Sequence, residues 1–463
     1  MGDLFALMHN GSRALTAHRV AMATASHNIE NVNTAGFTRQ RANLEASPGI
    51  AMAGVGMLGT GVTISSITQA KDRFLEARLP SMRAEAGAAE TRASTLDAVT
   101  AFDSTGINMA GRLGDFFAAM TSLQARPADI GTRQAAIGAA GDFAKAVSAA
   151  ANDIASAQSA VDVDLRARAP ELQQLAKQVA SLNKEIQIAA ASGGSPNDLL
   201  DQRQVALDAL SSQLGAKVVP GDGNMVTVTL PNGQPIVSGE TASKFGVATG
   251  TDGRLMLSVG GSDGAPPKLL DGKQLAGAVG GLFTARDEDL AGAAAELDAF
   301  AFDTANAFNT AHASGIALDG SSGRNLFTVG ASSSGAARSL SVNAALTADA
   351  SLLGVSGTGA SGDAGALTTM LAVRDAAVSG GSDLFAALAN MTSSFGEKAR
   401  GASIDQASAT SLLSHGVSLR ESVSGVSVDE ELVNIQQAER AFQAASKVIS
   451  TADSMLQTIL DLK

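Results

Sequence analysis

The chain contains no cysteine, no tryptophan and no tyrosine. Without thiols there is no disulfide, no thiolate nucleophile, no iron–sulfur cluster and no cysteine zinc site. The missing large aromatics, beside 16 Phe and 49 Gly in 463 residues, point to a core built largely from small side chains. Such a core suits close helix–helix contact better than a deep ligand pocket, whose walls are usually aromatic or large and apolar. Positive charge is scarce: 33 Lys and Arg against 45 Asp and Glu leave a net charge of −12, so the basic footprint expected for nucleic acid or an anionic membrane is lacking. No run approaches the roughly 18 apolar residues that a membrane helix needs. Met1 to Arg13 (MGDLFALMHNGSR) has no basic leader and no long apolar segment, so it does not read as a secretory signal peptide, and any export would use another route. What remains is a chain that is 45% hydrophobic, expected to fold, and long enough for two to four domains.

Its clearest patterns lie at the two ends. Leu4, Met8, Gly11, Leu15, His18, Met22, Ala25 and Ile29 recur at steps of four and three, one stripe along a helix. That helix should stop near Asn31–Asn33, with Gly36 as a further breaker. Val428, Leu432, Ile435, Ala438, Phe442, Ala445, Ile449, Ala452, Leu456 and Ile459 form a second stripe, with Asp429, Glu430 and Glu431 in its first turn to complement the helix dipole. Burying each large apolar side chain is worth roughly 1.5–3 kcal/mol, so two such stripes are a drive to associate. The candidate assembly interface is therefore Leu4, Met8, Leu15, Met22, Ile29, Leu432, Ile435, Phe442, Ile449, Leu456 and Ile459. The terminal segments, about 1–40 and 425–463, are expected to be mobile alone and to become helical on packing.

Between the ends the period changes twice. Val62, Ile64 and Ile67 read as a short strand, followed by a helix from about Lys71 that Pro80 should kink. A long helical region spans about Pro127 to Ala191; Gln158 interrupts its stripe between Ile154 and Val161, and Leu172 to Ile186 continue it after Pro170. Another helix covers Asp198 to Leu214. From Lys217 to about Lys273 the period is two, as in Val226, Val228 and Leu230, with Pro231-Asn232-Gly233 as a hairpin turn. Helical patterning returns at Leu282–Ala313, Ala364–Ser379 and Leu384–Leu419, around a Gly/Ser-rich stretch. The expected fold is mainly α with a small β insert, elongated and nested. Residues 1–70 plus 420–463 would form a terminal coiled-coil domain, 71–216 plus 282–419 a helical-bundle body, and 217–281 a β-rich outer domain at the pole opposite the termini.

Chemical motifs are weak. Gly54-Val-Gly56-Met-Leu-Gly59 and Gly357-Thr-Gly359-Ala-Ser-Gly362 fit a dinucleotide fingerprint but lack its strand–loop–helix context. His9, His18 and His27 are nine apart, so neighbours fall on opposite helix faces and share no metal. Ser181-Leu-Asn-Lys184 matches an acyl-serine pattern, yet it lies inside the long helix without companion motifs. No catalytic constellation, metal site or cofactor site emerges, so a non-enzymatic protein is expected.

Ala25–Gln40 (ASHNIENVNTAGFTRQ) resembles the N-terminal signature of flagellar rod, hook and hook-associated proteins, through Asn28, Asn31, Asn33, Thr34, Gly36 and Phe37. Ala438–Leu460 is similar to the terminal helix of the same family. Thr38-Arg39-Gln40, Ser424-Gly425-Val426, Leu200-Asp201-Gln202-Arg203 and Asn309-Thr310-Ala311-His312 look like the members at the hook–filament junction, whereas Ala438–Phe442 leans towards hook and rod members. The resemblance implies a structural role outside the cell, in a ring of identical subunits between hook protein and the next hook-associated protein. It further implies type III export and a cytosolic chaperone on the C-terminal helix. A secreted coiled-coil effector is the rival from another class, and it explains neither terminal signature.

Overall fold

A computed structural model describes residues 2–52, 56–102, 106–251, 253–260 and 266–461. Helix α1 (Gly2–Glu30) ends where the asparagines begin, and Gly36 adopts a positive φ of 80° beyond it. The strands β1 (Gln40–Ala46), β2 (Ile50–Met52), β3 (Gly56–Leu58) and β4 (Val62–Gln69) follow. β1 pairs antiparallel with β4, from Gln40 opposite Gln69 to Ala46 opposite Val62. The largely exposed β1 alternates only weakly, Ala42, Leu44 and Ala46 against Arg41, Asn43 and Glu45, and only β4 was expected. Asp72 caps α2 (Arg73–Asp97), accepting from the amides of Phe74 and Leu75, and the helix runs on through Pro80.

Helix α3 (Met109–Ala125) has no counterpart in the sequence reading; Leu113, Phe116, Phe117, Met120 and Leu123 bury its wide apolar face. The α4 helix (Ile130–Ala191) extends unbroken for 62 residues, about 90 Å at 1.5 Å per residue, with Pro170 inside it. After α5 (Asn197–Leu214) come β5 (Lys217–Pro220), β6 (Val226–Thr229), β7 (Pro235–Ser238) and β8 (Thr241–Ala242), one antiparallel sheet in chain order. β9 (Lys244–Thr249), β10 (Leu255–Gly260) and β11 (Lys268–Leu270) form a second, with β10 in the middle. α6 (Gly277–Thr284) passes through a π-helical turn (Ala285–Leu290) into α7 (Ala291–Ala313). Short pieces follow: β12 (Phe327–Thr328), α8 (Ala336–Ser339), β13 (Ser341–Val342), α9 (Ala344–Ala348) and α10 (Gly365–Ala372). The chain then returns through α11 (Leu384–Ser424) to α12 (Val428–Asp461).

Two separate hydrophobic cores lie along α4. One joins its N-terminal half, through Ile154, to α3, α7 and the segments near Phe327, Leu353 and Leu367. The other joins Val161 to Ala180 of α4 with α5, α6 and the strands from Val226 to Leu270. Because α5 also holds the terminal segment, through Asp201 and Thr38, the strands lie on the half of α4 nearer the termini. The β insert therefore does not form the far pole. That pole is the first core, and it gathers large aromatics where small side chains were expected: Phe116, Phe143, Phe300, Phe308 and Phe327 are fully buried. Phe116 and Phe308 pack with tilted rings at 5.2 Å between centroids and Phe143 meets Phe300 edge-on at 6.4 Å.

His312 locks a loop onto this core. Its Nδ1 lies 2.7 Å from the Arg324 carbonyl and its Nε2 accepts the Gly354 amide at 2.9 Å, so the ring is neutral with the proton on Nδ1. Burial pushes its pKa below the usual histidine range; the Arg324 charge beside it acts the same way, and the hydrogen bond to the Arg324 carbonyl opposes both. The unfolded chain therefore takes the proton first as pH falls. The stabilisation is complete above about pH 6.5 and drains away as pH drops through the depressed folded value. Urea midpoints should fall from pH 7.5 to pH 5 in the wild type, and less steeply in a His312→Asn variant that starts lower.

Candidate assembly interface

The two predicted stripes meet each other. Near their centres Ile449 approaches Gly11 so closely that a β-carbon at Gly11 would lie 2.5 Å from Ile449 Cγ1. At one end, Arg39 reaches Glu430 and Glu431. The helices α1 and α12 thus run antiparallel within one chain. Leu4, Met8, Leu15, Met22 and Ile29 are half-buried, as are Ile435, Phe442, Ile449 and Leu456, while Gly11, Ala25, Ala438 and Ala452 are fully buried. Leu432 and Ile459 remain exposed.

Part of the exposed apolar surface on α12 is a face the stripe did not include. Val433, Val448 and Met455 are 51%, 44% and 53% exposed and fall within about 60° of one another at 100° per residue. This second seam is centred roughly 110° round the helix from the intrachain stripe. A cleft of about 990 Å³ opens between α1, β1 and α12, with His18, Arg39, Leu44, Glu430, Val433 and Ala441 on its walls.

The Asn-rich signature is an intramolecular clasp. Asn28, fully buried, donates from Nδ2 to the Gln40 carbonyl and accepts the Gln40 amide on Oδ1, both at 2.9 Å, standing in for one strand partner. Asn31 donates to the His27 carbonyl at 3.0 Å and accepts from the Thr34 hydroxyl at 3.1 Å, closing the turn after α1. Asn33 is exposed. Gly36 has no room for a side chain: a β-carbon there would sit 2.3 Å from Val205 Cγ2 of α5, in a backbone conformation unsuited to other residues. Phe37 packs edge-on against the His27 ring, 5.5 Å between centroids.

These contacts seat the terminal module on the start of α5. Asp201 accepts the Thr38 amide at 2.9 Å, the Thr38 hydroxyl at 2.7 Å and Gln69 Nε2 at 2.7 Å, with Lys71 at 3.6 Å. Burial pushes its carboxyl pKa up, against the pull of Thr38 and Lys71. Asp198 accepts from Gln40 Nε2 at 2.7 Å and lies 3.2 Å from His27 Nε2. Opposite, Arg39 binds Glu431 at 2.6 Å, its carboxylate 3% exposed, and Glu430 at 2.8 Å, while its amide donates to the Ser424 carbonyl. Glu430 and Glu431 were assigned to the helix dipole alone; nothing in one sequence pairs residues 392 positions apart.

Other motifs have structural partners. The amides of Gly357, Thr358 and Gly365 are satisfied by Asp363, so that Gly-rich loop holds the chain's own carboxylate. The Gly54 to Gly59 match lies partly outside the described residues. Ser181 bonds Glu185 and Lys184 pairs with Glu240 on the surface. Among the described residues no group of three His, Asp or Glu is placed to hold a metal ion, and no helix is long and apolar enough to cross a membrane.

Comparison with known proteins gives a consistent picture. Residues 93–327 match the family described as flagellar hook-associated protein FlgK helical domain. Residues 8–38 match flagella basal body rod protein, and 420–462 flagellar basal body rod FlgEFG protein C-terminal. Flagellar hook-associated protein 1 of Escherichia coli is 29% identical over 70% of this chain and 60% of its own length. The Salmonella typhimurium protein of the same name is 30% identical over 70% and 59%. The chain thus spans about three-fifths of the length of these relatives, although the match to the Bacillus subtilis protein, 26% identical, covers 100% of this chain and 99% of that one. The flagellar hook junction protein FlgK from Burkholderia pseudomallei is similar in structure, with a TM-score of 0.51, 29% identity, and 55% and 47% of the two chains covered.

Proposed function

This chain belongs to the flagellar hook-associated protein FlgK family, and from that premise we propose that it is a structural adaptor at the hook–filament junction of a bacterial flagellum. The supporting observation is the antiparallel pairing of the chain ends, clasped to the body through Asn28, Gly36 and Thr38. Residues 1–70 and 420–463 act as the assembly module and the remaining helices as the body that holds it. Subunits join in a ring through the exposed apolar faces of the terminal pair. Hook protein lies on one side and the next hook-associated protein on the other. A cytosolic chaperone covers the C-terminal helix before type III export, and the protein catalyses no reaction.

A deletion strain tests this reading by electron microscopy. Hooks without filaments, with flagellin released to the medium, are the expected result, and filaments of normal number and length would sink the proposal. A hook or rod role is the second reading, favoured by the rod-protein likeness of residues 8–38 and 420–462. It predicts loss of the hook itself.

A further inference from the structure

The interruption of the α4 stripe at Gln158 marks a boundary across the whole body. Between Ile154, in one core, and Val161, in the other, α4 buries no residue. The chain recrosses this level in the π-helical turn, with Phe283 in one core before it and Leu290 in the other at its end. The unbroken α4 runs through this level, and apart from the buried Ala285 of the π-turn the side chains that bridge it are polar. Arg286, its side chain 4% exposed, binds Asp162 of α4 at 2.5 Å and the Leu255 carbonyl at 2.8 Å. Arg92 of α2 binds Asp289 of the π-turn at 2.8 Å and approaches Asp405 of α11 at 3.7 Å. Gln158 donates to the Arg286 carbonyl at 3.4 Å.

We propose that the body is two stiff segments articulated at this ionic belt, with the π-turn as the compliant element. Close-packed apolar cores admit essentially one arrangement and resist deformation. The Arg92 pairs with Asp289 and Asp405 are partly open to solvent, so water can take their place when they lengthen and the belt can change its angle while each core stays intact. A π-turn carries one residue more than an α-turn, recurs at functional sites and is a recognised place for a helix to bend. The direction of the far pole is thereby uncoupled from that of the terminal module.

The absence of cysteine allows clean spin-labelling of the full chain. Labels at Ser333→Cys and Lys244→Cys straddle the belt, and Ser333→Cys with Ser122→Cys is the control within the first core. The Arg92→Gln change should broaden the cross-belt distance distribution about twofold and leave the control unchanged. A cross-belt distribution unaltered by R92Q, or a control broadened equally, overturns the proposal. Should R92Q lose its helical circular dichroism, the wild type at 1 M salt, where screening acts within about 3 Å, is read by the same two criteria.

Discussion

Swimming should be abolished in a strain whose only copy carries Ile449→Glu, with the protein absent from purified hooks. Ile449 is the α12 residue that approaches Gly11 most closely, and it sits between the buried Ala438 and Ala452. Ile449 is half-buried, so losing its packing costs about half of the roughly 1.5–3 kcal/mol of a fully buried side chain. A carboxylate facing the pair adds the further cost of partial desolvation without a partner. Ile449 belongs to neither of the two large cores, so its loss is not shared by a wider apolar cluster. Met455→Glu makes the informative contrast, because Met455 lies on the exposed seam and not on the intrachain stripe. That variant should keep wild-type helix content and protease resistance as a soluble chain, yet still fail to incorporate. If Ile449→Glu chains assemble into working flagella, the pair is not the assembly element; if Met455→Glu chains do, the exposed seam is not the surface that meets neighbours.

The contrast shows where sequence patterns carry information and where they stop. A helical stripe is local, set by steps of three and four, so both terminal helices and most of α4 were visible from spacing alone. Which partner a stripe meets is not local: spacing left both stripes free to meet each other or neighbours, and the structure turns most of both towards each other. Helix α3 was legible yet missed: Met109, Leu113, Phe116, Met120 and Leu123 recur at steps of three and four. β1 alternates too, but its apolar face is only Ala42, Leu44 and Ala46 and lies largely exposed, so the signal is weak. The buried polar contacts were the least legible. Arg133, 1% exposed, donates to the carbonyls of Pro127 and Leu353, and nothing distinguishes it in the sequence from a surface arginine. The Asn28 to Phe37 signature was recognisable as a motif, but its action as a clasp depends on Val205 and Asp201, which lie far along the chain.

Asp201 tests that clasp most severely. Its carboxylate takes three hydrogen bonds from Thr38 and Gln69 and faces Lys71, and only the bond partners of Gln69 are duplicated, by the Asn197 carbonyl at 3.0 Å. In Asp201→Ala the fully buried Thr38 amide loses its acceptor and Lys71 its counter-charge. Removing one partner of a buried, hydrogen-bonded charge costs about 3–5 kcal/mol. Asp201→Asn keeps one oxygen as an acceptor and should lose about half as much, since a net hydrogen bond to a charged group is worth roughly 1.5–3 kcal/mol. The loss falls on one joint, because Asp201 sits at the start of α5, remote from the core around Phe308 and His312. Urea unfolding of the alanine variant should therefore split into two steps, the terminal module leaving first. Limited proteolysis should cut within residues 31–72 while the body stays whole. A single cooperative transition at the wild-type midpoint would show that the helix pair and the body are held together by something other than this carboxylate.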